Sequence, residues 1–294
     1  MAPDQLGELE PEHSFFVGID SDGCVFDSME IKHKECFCPA FIDNFDLQAV
    51  AKYAREVWEF VNLYSKTRGI NRFKAVLRAL ELVAARPETS ARGVSVPQLP
   101  GLRAWVERET KLGNPALDSA VEESGDEDLT RTQTWSRAVN AAVEKIVRGV
   151  PAFPKVHESL EKLAGRADAV CVSQTPTEAL SREWAEHDLD GLVRFIAGQE
   201  LGTKAEHLTM AAREKYESSH ILMIGDAPGD LSAARAVDAL FYPILPGREE
   251  ESWARFFDEA LDRFFNEGYA GDYEASLLKD FEAALPETPP WEDV

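Results

Sequence analysis

The chain has 294 residues, and its 53 acidic side chains outnumber 31 basic ones for a formal net charge of -22. That charge disfavours nucleic acid and an anionic membrane surface as partners, since both need clustered lysine and arginine. With 44% hydrophobic and 29% charged residues, the composition is that of a soluble globular protein large enough for two domains. Residues 1–13 carry Asp4, Glu8, Glu10 and Glu12, with no basic or apolar leader pattern, so a cytoplasmic location is expected. The first apolar run, Phe15–Ile19, reads as a buried strand and delivers Asp20-Ser21-Asp22-Gly23 to its C-terminal edge. Two carboxylates one residue apart can hold a hard cation or divide nucleophilic and acid–base roles. A calcium loop is ruled out at Cys24, where a third oxygen ligand would be needed.

Residues 29–150 show helical patterns and no convincing strand. Apolar residues recur at helical spacing over 45–64, Arg72–Ala85 and 132–147, and Trp58 and Trp105 fall on core faces. Residues 86–101, rich in Pro, Gly and Ser, read as a loop, and the acidic stretch 114–128 as a solvated, mobile connection. Residues 65–74 are the basic exception in this acidic chain. Lys66, Arg68 and Arg72 there are candidates for an anionic or hydroxyl-rich part of a substrate, against the plainer reading of a solvated helix face. Lys32 and His33 follow the first motif closely enough to be further candidates. Of the four cysteines, Cys36 and Cys38 lack a second ligand pair at metal spacing, so buried thiols in a reducing compartment are expected.

Pro151 and Pro154 mark a return to strands alternating with helices. Apolar runs at 169–172, 193–196, 221–224 and 240–244 are separated by helical patterns at 176–187, 203–216 and 230–237, with Val156–Leu163 before them. Such alternation implies a parallel sheet with every strand exit on one edge. Three of these exits carry polar groups: Ser173 with Gln174, then Lys204, then Asp226 and Asp230. A hydroxyl and turn amides before a helix can bind a phosphoryl oxygen, and a lysine supplies a point charge. Alone, Ser173 would be a turn residue, Lys204 a solvated one and Asp230 a helix cap. Their occurrence together, each at a strand exit, favours function. The expected architecture is α/β: a Rossmann-like parallel-sheet core (1–28 and 151–247), an inserted all-helical cap (29–150) and a C-terminal helical extension (248–294). The extension would pack on the core or pair two copies as a homodimer, and 287–294 would be frayed.

On these residues the chain resembles the haloacid dehalogenase-like hydrolase superfamily, in the subgroup with a helical cap after the first strand. The resemblance rests on Asp20-Ser21-Asp22-Gly23, Ser173, Lys204 and Gly225-Asp226 through Asp230, and covers roughly 14–28 and 151–246. It implies a phosphatase in which Asp20 attacks phosphorus to form an aspartyl-phosphate. Asp22 would protonate the leaving oxygen and then activate water. Mg²⁺ would be held by the Asp20 carboxylate, the Asp22 backbone carbonyl and Asp226, with Asp230 supporting it. Lys204 and Ser173 would orient the transferring group, with Gly23 beside it. Gln174 stands where many relatives have Asn, which weakens any role for it. Asp22 argues for phosphoester hydrolysis over dehalogenation, since dehalogenating members lack that second acid. A small phosphorylated metabolite is the expected substrate. A phosphomutase, or a binding protein that keeps the fold without turnover, are the alternatives.

Overall fold

The computed structural model describes residues 3–292. Five short strands form one parallel sheet: Phe15–Ile19 (β1), Ala167–Val172 (β2), Phe195–Ala197 (β3), Ile221–Gly225 (β4) and Leu240–Pro243 (β5). Their order is β3-β2-β1-β4-β5, so the chain lays strands to one side of β1 and then to the other. The strands are nearly continuous apolar runs because both faces of the sheet are covered. Val17, Ile19, Cys171, Leu222 and Ile224 pack with Trp253, Phe256 and Phe264 on one face. Phe16, Val170, Met223 and Phe241 pack with Leu208, Ala234 and Phe281 on the other. Gly18 is required by the second face, since a Cβ there would lie 2.8 Å from Leu208 Cδ2.

The sheet unit comprises Met1–Ser28 and Gly149–Pro286; the helical unit comprises Met29–Arg148 and Glu287–Val294. The C-terminal stretch is therefore not a separate extension. Its helices Glu249–Arg255, Leu261–Phe265 and Asp272–Ala284 belong to the sheet unit, and the last residues to the helical unit. These helices blunt the β5 edge. The Phe241 N–H donates to Glu274 Oε1 at 3.0 Å, and the Phe241 carbonyl accepts from the Tyr269 hydroxyl at 2.7 Å. Both outward backbone groups of Phe241 are thereby satisfied, which blunts the middle of β5 as a template for another strand.

The helical unit is built around Trp58, Trp105 and Trp135, all buried with Phe41, Phe73 and Val76. Its long helices are Ala51–Asn62, Arg72–Ala85, Pro100–Arg108, Asn114–Ser124 and Glu127–Ile146. Two segments differ from the sequence expectation. Within 86–101 there is a short helix, Pro87–Ala91, and Pro100 opens the next one; both prolines stand in first turns, where no N–H is needed. The acidic stretch 114–128 is helical up to Ser124, anchored by buried Leu117 and Ala120, while Glu122 and Glu123 face water. Gly125, at φ 61°, ends that helix, and Asp126 caps the next by accepting from Leu129 N–H at 3.0 Å. Within the stretch expected to fray, Pro289 is buried and Trp291 half-buried; 293–294 lie outside the described residues. All four cysteines are free and buried. Among the described residues no helix is long and apolar enough to cross a membrane.

Candidate active site

Parallel pairing brings the polar strand exits to one edge. Ile19 is level with Cys171 on β2 and with Ile224 on β4. Asp20 therefore emerges between the segment leading to Ser173 and the one leading to Asp226, and its N–H donates to the Ile224 carbonyl at 3.0 Å. This is the point where strand order reverses, the usual location of ligand sites in open α/β sheets. After Asp20 the backbone turns tightly. The Val25 N–H donates to the Ser21 carbonyl at 2.8 Å, and Gly23 adopts φ 76° with its N–H given to the Phe26 carbonyl at 2.8 Å. Gly23 thus shapes the turn, and its amide is committed there rather than offered to a ligand.

Asp20, Asp226 and Asp230 are all buried, and one carboxylate oxygen from each lies within 4.8 Å of the others. Lys204, the first residue of the Lys204–Ala211 helix, reaches into the group from the β3 side. Its Nζ is 2.8 Å from Asp20 Oδ1 and 2.5 Å from Asp230 Oδ1. Asp230 is fixed further by its other oxygen, which accepts from the N–H groups of Asp226 (3.1 Å) and Ala227 (3.0 Å). It occupies the first turn of the Pro228–Ala236 helix and reaches back to the residue before it, so Asp230 is not itself the cap residue. Gly225 permits that reach: a Cβ on it would lie 2.4 Å from Asp230 Cβ.

The electrostatics are unbalanced, with three buried carboxylates around one ammonium. Burial raises the Asp20 carboxyl well above its ordinary value; Lys204 opposes this, while Asp230 and Asp226 add to it. Burial works to lower the Lys204 ammonium, but Asp20 and Asp230 outweigh it and hold it above its ordinary range. An all-oxygen donor set with surplus negative charge fits a hard divalent cation, and it contains no histidine or cysteine to favour a softer one. Cys24 and Cys171 lie close by. Burial, reinforced by Asp20, raises both thiols well above their usual range and so favours their neutral form.

Asp22 is set apart from this triad. Its Oδ1 accepts from the Ser28 hydroxyl, and its Oδ2 accepts from the Thr175 hydroxyl at 2.8 Å. Ser28 lies five residues after the Asp20–Gly23 motif and Thr175 is the second residue after Ser173, so each hydroxyl was visible in the sequence but its target was not. Ser173 is buried; its Oγ accepts from the Thr175 N–H at 3.3 Å, and its own N–H donates to the Ala197 carbonyl at 2.9 Å. The exposed Gln174 donates its side-chain amide to the Gly202 carbonyl at 2.9 Å, tying the Ser173 loop to the loop before Lys204.

The basic residues of 65–74 have diverse placements within the helical unit. Lys66 is exposed and pairs with Glu287 at 3.5 Å. Arg68 is buried, with Nη1 donating to the Leu63 carbonyl at 2.9 Å. Arg72 donates to Ser136 Oγ (3.1 Å) and Asn140 Oδ1 (2.8 Å), and lies 5.0 Å from the Phe37 ring centre. Burial lowers its pKa to about 10. His33 stacks on Phe37 with ring centres 4.8 Å apart.

No protein-family model matches the chain, and no curated protein matches it. Solved structures do. A β-phosphoglucomutase from Clostridium difficile is 12% identical, with a TM-score of 0.49 over 86% of this chain and 97% of that one. A haloacid dehalogenase-like family hydrolase from Xanthomonas campestris is 13% identical, with a TM-score of 0.45 over 87% and 94%. A haloacid dehalogenase-like family hydrolase from Streptococcus pneumoniae is 14% identical, with a TM-score of 0.43 over 91% and 98%.

Proposed function

We propose that the chain is a haloacid dehalogenase-like phosphoric monoester hydrolase that cleaves a small phosphorylated metabolite through a phosphorylated Asp20. The observation that carries this reading is the separation of its two motif aspartates. Asp20 sits in the triad with Asp226 and Asp230, against Lys204, whereas Asp22 is held outside it by Ser28 and Thr175.

In this reading the Asp20 carboxylate attacks phosphorus and displaces the alcohol oxygen. Asp22, aligned by two hydroxyls, gives its proton to that oxygen. It then takes a proton from the water that hydrolyses the acyl phosphate and restores Asp20. Ser173 donates its hydroxyl to a phosphoryl oxygen, and Lys204 balances charge on the equatorial oxygens, the main catalytic task in phosphoryl transfer. Asp20, Asp226 and Asp230, with the Asp22 backbone carbonyl, would hold Mg²⁺. That ion would supply positive charge against the carboxylates and the transferring group. On the helical unit, Arg72 is the guanidinium we propose for an anionic part of the substrate, since its hydrogen-bond partners Ser136 and Asn140 are neutral. Four buried free thiols suit a reducing, cytoplasmic setting.

A panel of phosphoesters with and without Mg²⁺ tests the proposal. Free phosphate should be released only with the metal, and release should vanish in Asp20→Asn. An isomerised sugar phosphate in place of free phosphate would instead identify a mutase. No turnover across the panel would leave a binding protein on this fold.

A further inference from the structure

The chain passes between its two units three times, at 28–29, 148–149 and 286–287. An inserted unit needs only the first two passages. The third exists because the segment after the Asp272–Ala284 helix returns to the helical unit instead of ending on the sheet unit.

The return is anchored by specific contacts. The Trp291 ring lies over the Arg86 guanidinium, 4.2 Å from ring centre to the central carbon, and meets Phe60 edge-on at 5.4 Å. Arg86 is only 4% exposed, pairs with Glu56, and has the Tyr53 ring at 5.0 Å. Its guanidinium is thus fixed by the Ala51–Asn62 helix, which carries Tyr53, Glu56 and Phe60, and completed by Trp291. Desolvation makes a cation–π contact of this kind stronger than an exposed one. Lys66 pairs with Glu287 at the start of the segment, and Pro289 is buried between the two anchors. Pro289 and Pro290 also stiffen the unbound chain, which lowers the conformational entropy lost on docking.

We propose that residues 286–292 are a strap: a third tether, clamped by Trp291 on Arg86, that limits how far the helical unit can move about the connections at 28–29 and 148–149. The alternative is that the segment only covers the surface of the helical unit. A slackened strap separates the two. Six Gly/Ser residues inserted between Pro286 and Glu287 leave every anchor in place while adding about 13 Å of root-mean-square reach.

The readout is the distribution of distances between spin labels on Lys74→Cys and Glu186→Cys, measured by pulsed dipolar spectroscopy. Both positions are exposed, and the native thiols are buried. The insertion and, separately, Trp291→Ala should each broaden the distribution relative to the intact strap. The long-distance tail should extend by several ångströms, up to about 13 Å for the insertion. Unchanged distributions in both variants would overturn the proposal. So would broadening in Trp291→Ala alone, because that would show covering without tethering.

Discussion

Asp20 and Asp22 are chemically identical side chains two positions apart, and their surroundings give them different capacities. Asp20 shares a buried space with two carboxylates and one ammonium, whereas Asp22 is oriented by two neutral hydroxyls. If that orientation makes Asp22 an acid–base group, removing both hydroxyls with Ser28→Ala and Thr175→Val should lower kcat about tenfold or more and leave KM nearly unchanged. General acid–base catalysis is worth roughly 10²–10⁴-fold in total, so lost alignment forfeits part of it. Steady-state kinetics on any accepted phosphoester check this. His207, one turn after Lys204, makes a separate prediction. It is fully buried, and burial lowers its pKa from 6.5 to about 4. Its folded-state pKa is depressed, so the stability it contributes is complete above about pH 6.5 and is lost as pH falls toward 4. Between pH 7 and 4.5 the native protein should lose about 2–3 kcal/mol more stability than His207→Leu, as measured by urea unfolding. Equal losses would show that His207 titrates normally.

At the scale of elements, the sheet was legible because buried parallel strands need continuous apolar runs. The run at Phe15–Ile19 coincides with β1, and those near 169, 221 and 240 differ from β2, β4 and β5 by one or two residues at an end. The strand exits then place Ser173, Lys204, Asp226 and Asp230 on one edge. Less legible were elements whose burial depends on partners distant in sequence. The acidic stretch 114–128 reads as solvated because most of it is, and its helix is anchored by Leu117 and Ala120 alone among buried side chains. Trp291 gives no periodic signal; its partners are Phe60 and Arg86, more than two hundred residues earlier. Ser28 and Thr175 show the same limit in the site, since a hydroxyl's target is set by the fold. At the β4 exit, sequence and geometry agree closely. Gly225→Ala would force its Cβ onto Asp230 and displace the carboxylate that receives Lys204. We expect a loss of about 1–3 kcal/mol in stability, seen by urea unfolding. Weaker Mg²⁺ binding, seen by calorimetric titration, should accompany it.

For the whole molecule, the sheet unit concentrates the candidate chemistry at one edge, while its C-terminal helices close the β5 edge and the last residues join the helical unit. A net charge of -22 would repel a phosphoester from much of the surface. Productive binding therefore depends on local positive charge, which Lys204 and a divalent cation would provide. The proposed reaction divides its labour between Asp20 and Asp22. Rapid acid quench of the protein with a phosphorus-labelled phosphoester and Mg²⁺ tests it most directly, by locating the label on the peptide carrying both residues. We predict a hydroxylamine-sensitive label on Asp20, none in Asp20→Asn, and accumulation in Asp22→Asn, where hydrolysis of the acyl phosphate is slowed. Phosphate release without any label on Asp20, or a label that turns over at the native rate in Asp22→Asn, would contradict it.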